Sequence, residues 1–220
     1  MTEAKAKYTQ EEVLEIFKEQ HRLCSPLDPE ADLWAEITPE MTIRDWRAAN
    51  DLLGWKKLSK FLNQEFRIDI SENEWRQTLE PAKIRKLIDV CRLVSKYAEK
   101  DIYEPITLFG RPCLKAGVFL TIKKNLEIKG VNVSELRPSS LLSEYLNKYF
   151  SPVIEEITKT GTKTIDKIEV ERSKKGFWDA LNLFNPKHYE ISTREIKTFR
   201  DLTERIIEKE RNLSSTKPEL

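Results

Sequence analysis

Histidine and cysteine are scarce in this 220-residue chain, which has only His21, His188, Cys24, Cys91 and Cys113. Two histidines and no Cys-x-x-Cys pair leave a zinc site short of ligands, and three widely spaced thiols fit reduced cysteines better than a disulfide framework. Glycine is sparse too, at six residues, and none belongs to a Walker or dinucleotide loop; Gly110-Arg111-Pro112 is too short to wrap a phosphate. No apolar run approaches the roughly 20 residues that span a bilayer, and residues 1–8 lack the apolar stretch of a secretory signal. A cytoplasmic location away from membranes is therefore expected. Nor is there an excess of either charge: 38 basic side chains meet 37 acidic ones, so the chain has neither a basic arm for nucleic acid nor an acidic tail. The composition, 39% hydrophobic and 34% charged, suits one large domain or two small ones.

Apolar residues at helical spacing are plentiful. Within residues 51–70, Leu58, Phe61, Leu62 and Phe66 share a face and leave Lys57, Lys60 and Gln64 outside, which predicts an amphipathic helix running into an extended exit. Upstream, Thr9 with Glu12 three residues later opens a helix marked by Val13, Ile16 and Phe17, and Pro26 and Pro29 stop it near Cys24. Residues 27–41 read as a long loop that tucks Leu33, Trp34 and Ile37 inward, followed by a short helical turn around Trp46. Ser71 with Glu74 caps a short helix that carries Trp75 to the core. A long helix is predicted from Glu80, with Pro81 in its first turn and a stripe of Ile84, Leu87, Ile88, Cys91, Val94 and Ala98.

This order over residues 9–99, helix, long loop, helix, short helix, helix, resembles the acyl carrier protein fold. Asp51 and Leu53 stand where that family has the Asp and Leu flanking its phosphopantetheine serine, and the apolar run ends likewise in Phe66 and Ile70. Leu52 occupies the serine's own position. The resemblance implies the carrier fold without the carrier chemistry, and no cofactor.

Residues 106–211 read as a second helical domain, a possible diverged and enlarged repeat of the first. Residues 106–112 form a linker or short extended lead, and 113–128 a strongly apolar helix, buried on most sides, that ends at Gly130. Residues 136–145 then align with 37–46 at an offset of 99 positions: Pro138 with Pro39, Leu142 with Ile43, Glu144 with Asp45 and Tyr145 with Trp46. Residues 197–207 resemble the family's final helix, and the second copy's equivalent of the 51–70 helix falls at 152–159, capped by Ser151. Chance likeness between short amphipathic pieces is the alternative to duplication. Residues 160–176 read as an inserted loop in which Ile165, Ile168 and Val170 could make a hairpin strand, 177–184 as a short helix, and 1–8 and 212–220 as flexible tails. The expected fold is mainly all-α, two acyl-carrier-like bundles with a loop or hairpin inserted in the second.

Cys113, just after Pro112 at a helix start, is the sole candidate nucleophile, because free amides there lower a thiol pKa. Its apolar helix and the distant histidines make a packed thiol the stronger reading, so no catalytic residue is assigned. Ser151 lies one position from where a prosthetic-group serine would fall in the second copy, but Phe150 and Pro152 replace the family's flanking Asp and Leu. Trp55, Lys56, Lys57 and Lys60 form a basic edge and are the candidate partner-binding residues; a solvated helix face is the plain alternative. Carrier proteins present an acidic helix here, so the reversed sign argues against the usual partners and leaves, beside the default of a solvated face, an acidic protein partner or nucleic acid. The function expected is a non-enzymatic interaction or scaffold module. Two alternatives are a carrier modified at Ser151 and a helix-turn-helix nucleic-acid binder over 46–66, which the near-neutral charge disfavours.

Overall fold

The computed structural model describes residues 6–161, 163–172 and 189–215, and the helix expected at 177–184 lies outside them. The chain is mainly helical and divides into two compact units, Met1–Ile102 and Tyr103–Leu220. In the first, α1 (Gln10–Cys24) is followed by a 3-10 turn (Ser25–Leu27), α2 (Ile43–Ala49), α3 (Trp55–Phe66), α4 (Glu72–Leu79) and α5 (Leu87–Tyr97). The second holds a hairpin of β1 (Ile106–Leu108) and β2 (Arg111–Cys113), then α6 (Leu114–Ile128), α7 (Leu142–Lys148) and α8 (Phe150–Lys159). An antiparallel pair, β3 (Ile168–Arg172) and β4 (Tyr189–Thr193), leads to α9 (Phe199–Ser215).

Local side-chain chemistry sets several of these boundaries. Thr9 and Glu12 form a reciprocal capping box on α1, and the Ser71 hydroxyl accepts from the Glu74 N–H at the start of α4. Leu58, Leu62 and Phe66 turn α3 onto a core that includes Val13, Phe17, Trp46, Trp75 and Leu87. Phe17 is its hub, 4.9 Å from the Trp46 ring and 6.0 Å from Phe66 edge-on. The Asn63 amide closes the turn after α3 by donating to Ile70 O at 3.0 Å, while its Oδ1 accepts from Trp75 Nε1 at 2.9 Å.

Several elements begin or end elsewhere than the sequence suggests. The organising helix starts at Trp55, because residues 50–54 are spent ending α2: Leu52 N–H bonds back to Arg47 O at 2.8 Å and Asp51 sits at φ 46°. The last helix of this unit starts at Leu87, leaving Ile84 72% exposed, because residues 80–86 run back along the loop before α2. Leu33 and Trp34 face outward and only Ile37 is buried. Asp28 and Asp32 accept from the N–H groups of Glu30 and Trp34, and these tight turns hold the loop clear of the core. Residues 6–8 are tied down, Lys7 pairing with Glu99 and Tyr8 packing edge-on against Phe66, and α9 carries the chain in helix to Ser215.

In the second unit, α6 buries Val118, Phe119, Ile122 and Leu126 against α8 and α9 but leaves Leu120 and Ile128 exposed, so it is one-faced rather than buried on most sides. Gly117 sits on the buried face because a Cβ there would lie 1.8 Å from Glu104 O. Ser151 falls within α8 rather than capping it, and Tyr149 holds the N-cap position.

The same bonds recur in both units. In the first, Ile43 N–H donates to Arg85 O (2.9 Å), Leu87 N–H to Met41 O (2.9 Å) and Ile88 N–H to Pro39 O (3.0 Å). In the second, Leu142 N–H donates to Lys197 O (2.9 Å), Phe199 N–H to Ser140 O (3.2 Å) and Arg200 N–H to Pro138 O (2.7 Å). Asp89 caps α5 by accepting from Lys86 N–H, and Asp201 accepts from Thr198 N–H in the same way at α9. An amide on the first long helix also meets a buried glutamate in each unit: Gln20 donates to Glu65 of α3, and Asn125 donates to Glu156 of α8 at 2.8 Å.

Candidate functional site

An open groove of about 720 Å³ lies between the start of α3, the outer face of α4 and the loop that follows it. Trp55 forms one wall; Asn73, Arg76 and Gln77 of α4 form another, and Glu80, Pro81 and Arg85 complete it. Gly54, with no side chain to cap, begins α3, and no acidic residue occupies its first turn. That leaves the positive end of the helix uncompensated beside the groove.

Of the four residues the sequence singles out, Trp55 lines the groove, half-buried against the core, so one ring edge is fixed. Lys56 lies 5.6 Å over the Trp55 ring and pairs with Glu72 at 3.4 Å. Lys57 and Lys60 are exposed on the outward face of α3 and do not line the groove. Arg76 and Arg85, missed in the sequence reading, do. Of the two, only Arg76 has an early signal: it directly follows the core residue Trp75, and a step of about 100° per helical residue turns it away from the buried face.

Among the described residues, Lys57, Lys60, Arg76 and Arg85 have no acidic partner. Arg85 Nε donates to Glu80 O at 3.2 Å, and the Glu80 carboxylate is occupied by Ala82 N–H at 3.1 Å. The groove can thus offer an aromatic face and two cations, Arg76 and Arg85, to an anionic ligand, chemistry suited to carboxylate side chains. It presents no nucleophile beside a base.

The other candidates are placed apart from it. Leu52 is half-buried against the core, and Ser151 is exposed on the first turn of α8. Cys113 ends β2 and caps α6. Burial pushes the Cys91 thiol up to about 12, which leaves it unreactive. Among the described residues no cluster of three or more His, Cys, Asp or Glu could hold a metal, and no helix is long and apolar enough to cross a membrane. No family model, no curated protein and no solved structure matches the chain.

Proposed function

We propose that this protein is a non-enzymatic interaction module, built on two acyl-carrier-like bundles, that docks an acidic segment of a partner protein in the groove between α3 and α4. The observation that carries the docking claim is the convergence of Trp55 with Arg76 and Arg85, two cations without acidic partners among the described residues. The carrier-like frame is supported by the helix order of the first unit and by Leu52, an apolar side chain tucked against the core where the resemblance places the modified serine. Duplication is supported by the repeated bonds: Pro39, Met41 and Ile43 correspond to Pro138, Ser140 and Leu142 at an offset of 99, and Arg85, Leu87 and Ile88 to Lys197, Phe199 and Arg200 at 112. The capping aspartates Asp89 and Asp201, also 112 apart, and an amide–glutamate contact in each unit lend it further support.

Titration of the full chain with an acetylated hexaglutamate peptide, followed through the Trp55 indole N–H resonance, tests the docking site. The account expects saturable binding that weakens as salt rises and falls at least about tenfold in Arg76→Glu/Arg85→Glu, a loss of about 1.4 kcal/mol. Both side chains are exposed, so the variant keeps its core. Equal binding of a hexalysine peptide, or binding indifferent to the charge reversal, would refute the assignment.

One observation favours the alternative of a carrier modified at Ser151. Its hydroxyl caps nothing and is exposed, so it is open to a modifying enzyme.

A further inference from the structure

The two units share their loop-to-helix bonds but differ beside the helix that follows. In the first unit, residues 25–36 link α1 to Ile37 and close on the end of α2, where Asp32 N–H donates to Ala49 O at 3.0 Å. In the second, the shorter stretch 129–135 links α6 to Leu136, and a cavity of about 260 Å³ opens beside Lys148, which takes the place of Ala49 at the offset of 99.

The walls of this cavity have a definite chemistry. Tyr145 and Tyr149, one helical turn apart, set their rings 6.2 Å apart at a tilt of 37°. Lys148 Nζ lies 5.1 Å from the centroid of the Tyr149 ring, so that ring already attracts an ammonium group. Glu144 is exposed and has no ion pair among the described residues, while Glu135 meets Arg137 only at 3.7 Å, with both side chains largely in solvent. Asn132 and Ser134, on the loop wall, satisfy each other through a 2.8 Å bond. Burial raises the Tyr145 phenol pKa, as expected for a ring set into the cavity wall.

We propose that this cavity receives one cationic side-chain head, a lysine ammonium or an arginine guanidinium, from a basic segment of a protein partner. The volume, about 260 Å³, lies just below the roughly 300–1,000 Å³ of pockets that enclose whole small molecules, and it admits one side-chain head together with part of its stem. Two tyrosine faces supply cation–π attraction, and the lining sets two carboxylates, Glu135 and Glu144, against one resident lysine, which favours a cation over an anion. The site lies in the second unit and is independent of the groove in the first; neither proposal falls with the other.

Backbone amide NMR of the full chain tests it with four blocked pentapeptides of glycine carrying lysine, arginine, norleucine or glutamate at the centre. The lysine and arginine peptides should shift the amides of residues 144–149 with a Kd on the order of 1 mM, as a single head group allows, and the other two should not. Two exposed substitutions should act in opposite directions: Glu144→Gln should weaken binding at least about threefold, and Lys148→Met, which removes the competing charge, should strengthen it at least about twofold. Equal shifts from the norleucine peptide, no shift at these residues, or no response to either variant would overturn the proposal.

Discussion

Lys129→Met should lower the stability of the second unit by about 3–5 kcal/mol, because it removes the cation that pairs with the buried Glu155 and leaves Glu156 only Lys159, at 3.9 Å, and the Asn125 amide. Lys129 Nζ sits 2.8 Å from Glu155 Oε2 and 2.8 Å from Glu156 Oε1, and none of the three side chains is more than 13% exposed. Burial alone would depress the lysine pKa, but the attraction of Glu156 and Glu155 outweighs it and the net shift is upward. A folded-state pKa above the unfolded value means that the lysine's contribution is fully present below the ordinary lysine range and drains away only as the pH rises past the raised value. Hydrogen exchange of the α6 and α8 amides reads the second unit apart from the first. A loss below about 1 kcal/mol would mean that the cluster is solvated.

Phe66→Ala should cost the first unit about 3–5 kcal/mol, the range for truncating a buried aromatic. Phe66 is 3% exposed and meets Phe17 edge-on at 6.0 Å and Tyr8 edge-on at 6.1 Å, so its removal opens a cavity between α3, α1 and the chain before α1. Lys57→Ala, on the opposite face of the same helix, should change stability by no more than about 0.5 kcal/mol. Exchange of the α1 and α5 amides measures both. Equal small effects would mean that α3 does not hold the core together.

The contrast between these two residues is one that the sequence carries. Spacings of three and four put Phe66 inside and Lys57 outside, and the caps Thr9 and Ser71 act on residues only three positions away. Such short-range chemistry survives reading one residue at a time. The start of α5 does not. Pro81 reads as a first-turn proline, but the backbone of residues 85–88 is held by Pro39, Met41 and Ile43, more than forty positions upstream, and no periodicity reports such a bond. The same holds for the junction at Asp51, where ending α2 takes precedence over starting α3.

The candidate site divides in the same manner. Trp55 and its neighbouring lysines are legible as one edge of an amphipathic helix. Arg76 and Arg85 belong to α4 and to the loop after it, and they reach Trp55 only through the packing of α4 beside α3. Asn125 on α6 reads as one polar residue in an apolar run; its purpose is visible only once Glu156 stands 2.8 Å away. The cavity beside Tyr145 depends on the course of residues 129–135 past α7, which no local pattern in the sequence reports.

The central claim is that a carrier-like frame serves here as a binding surface without the carrier's prosthetic arm. Intact-mass spectrometry of the full chain after incubation with coenzyme A and a broad-specificity phosphopantetheinyl transferase tests that claim most directly. With Leu52 offering no hydroxyl and Ser151 lacking the flanking Asp and Leu, the account predicts an unchanged mass. A phosphopantetheine adduct mapped to the peptide containing Ser151 would contradict it.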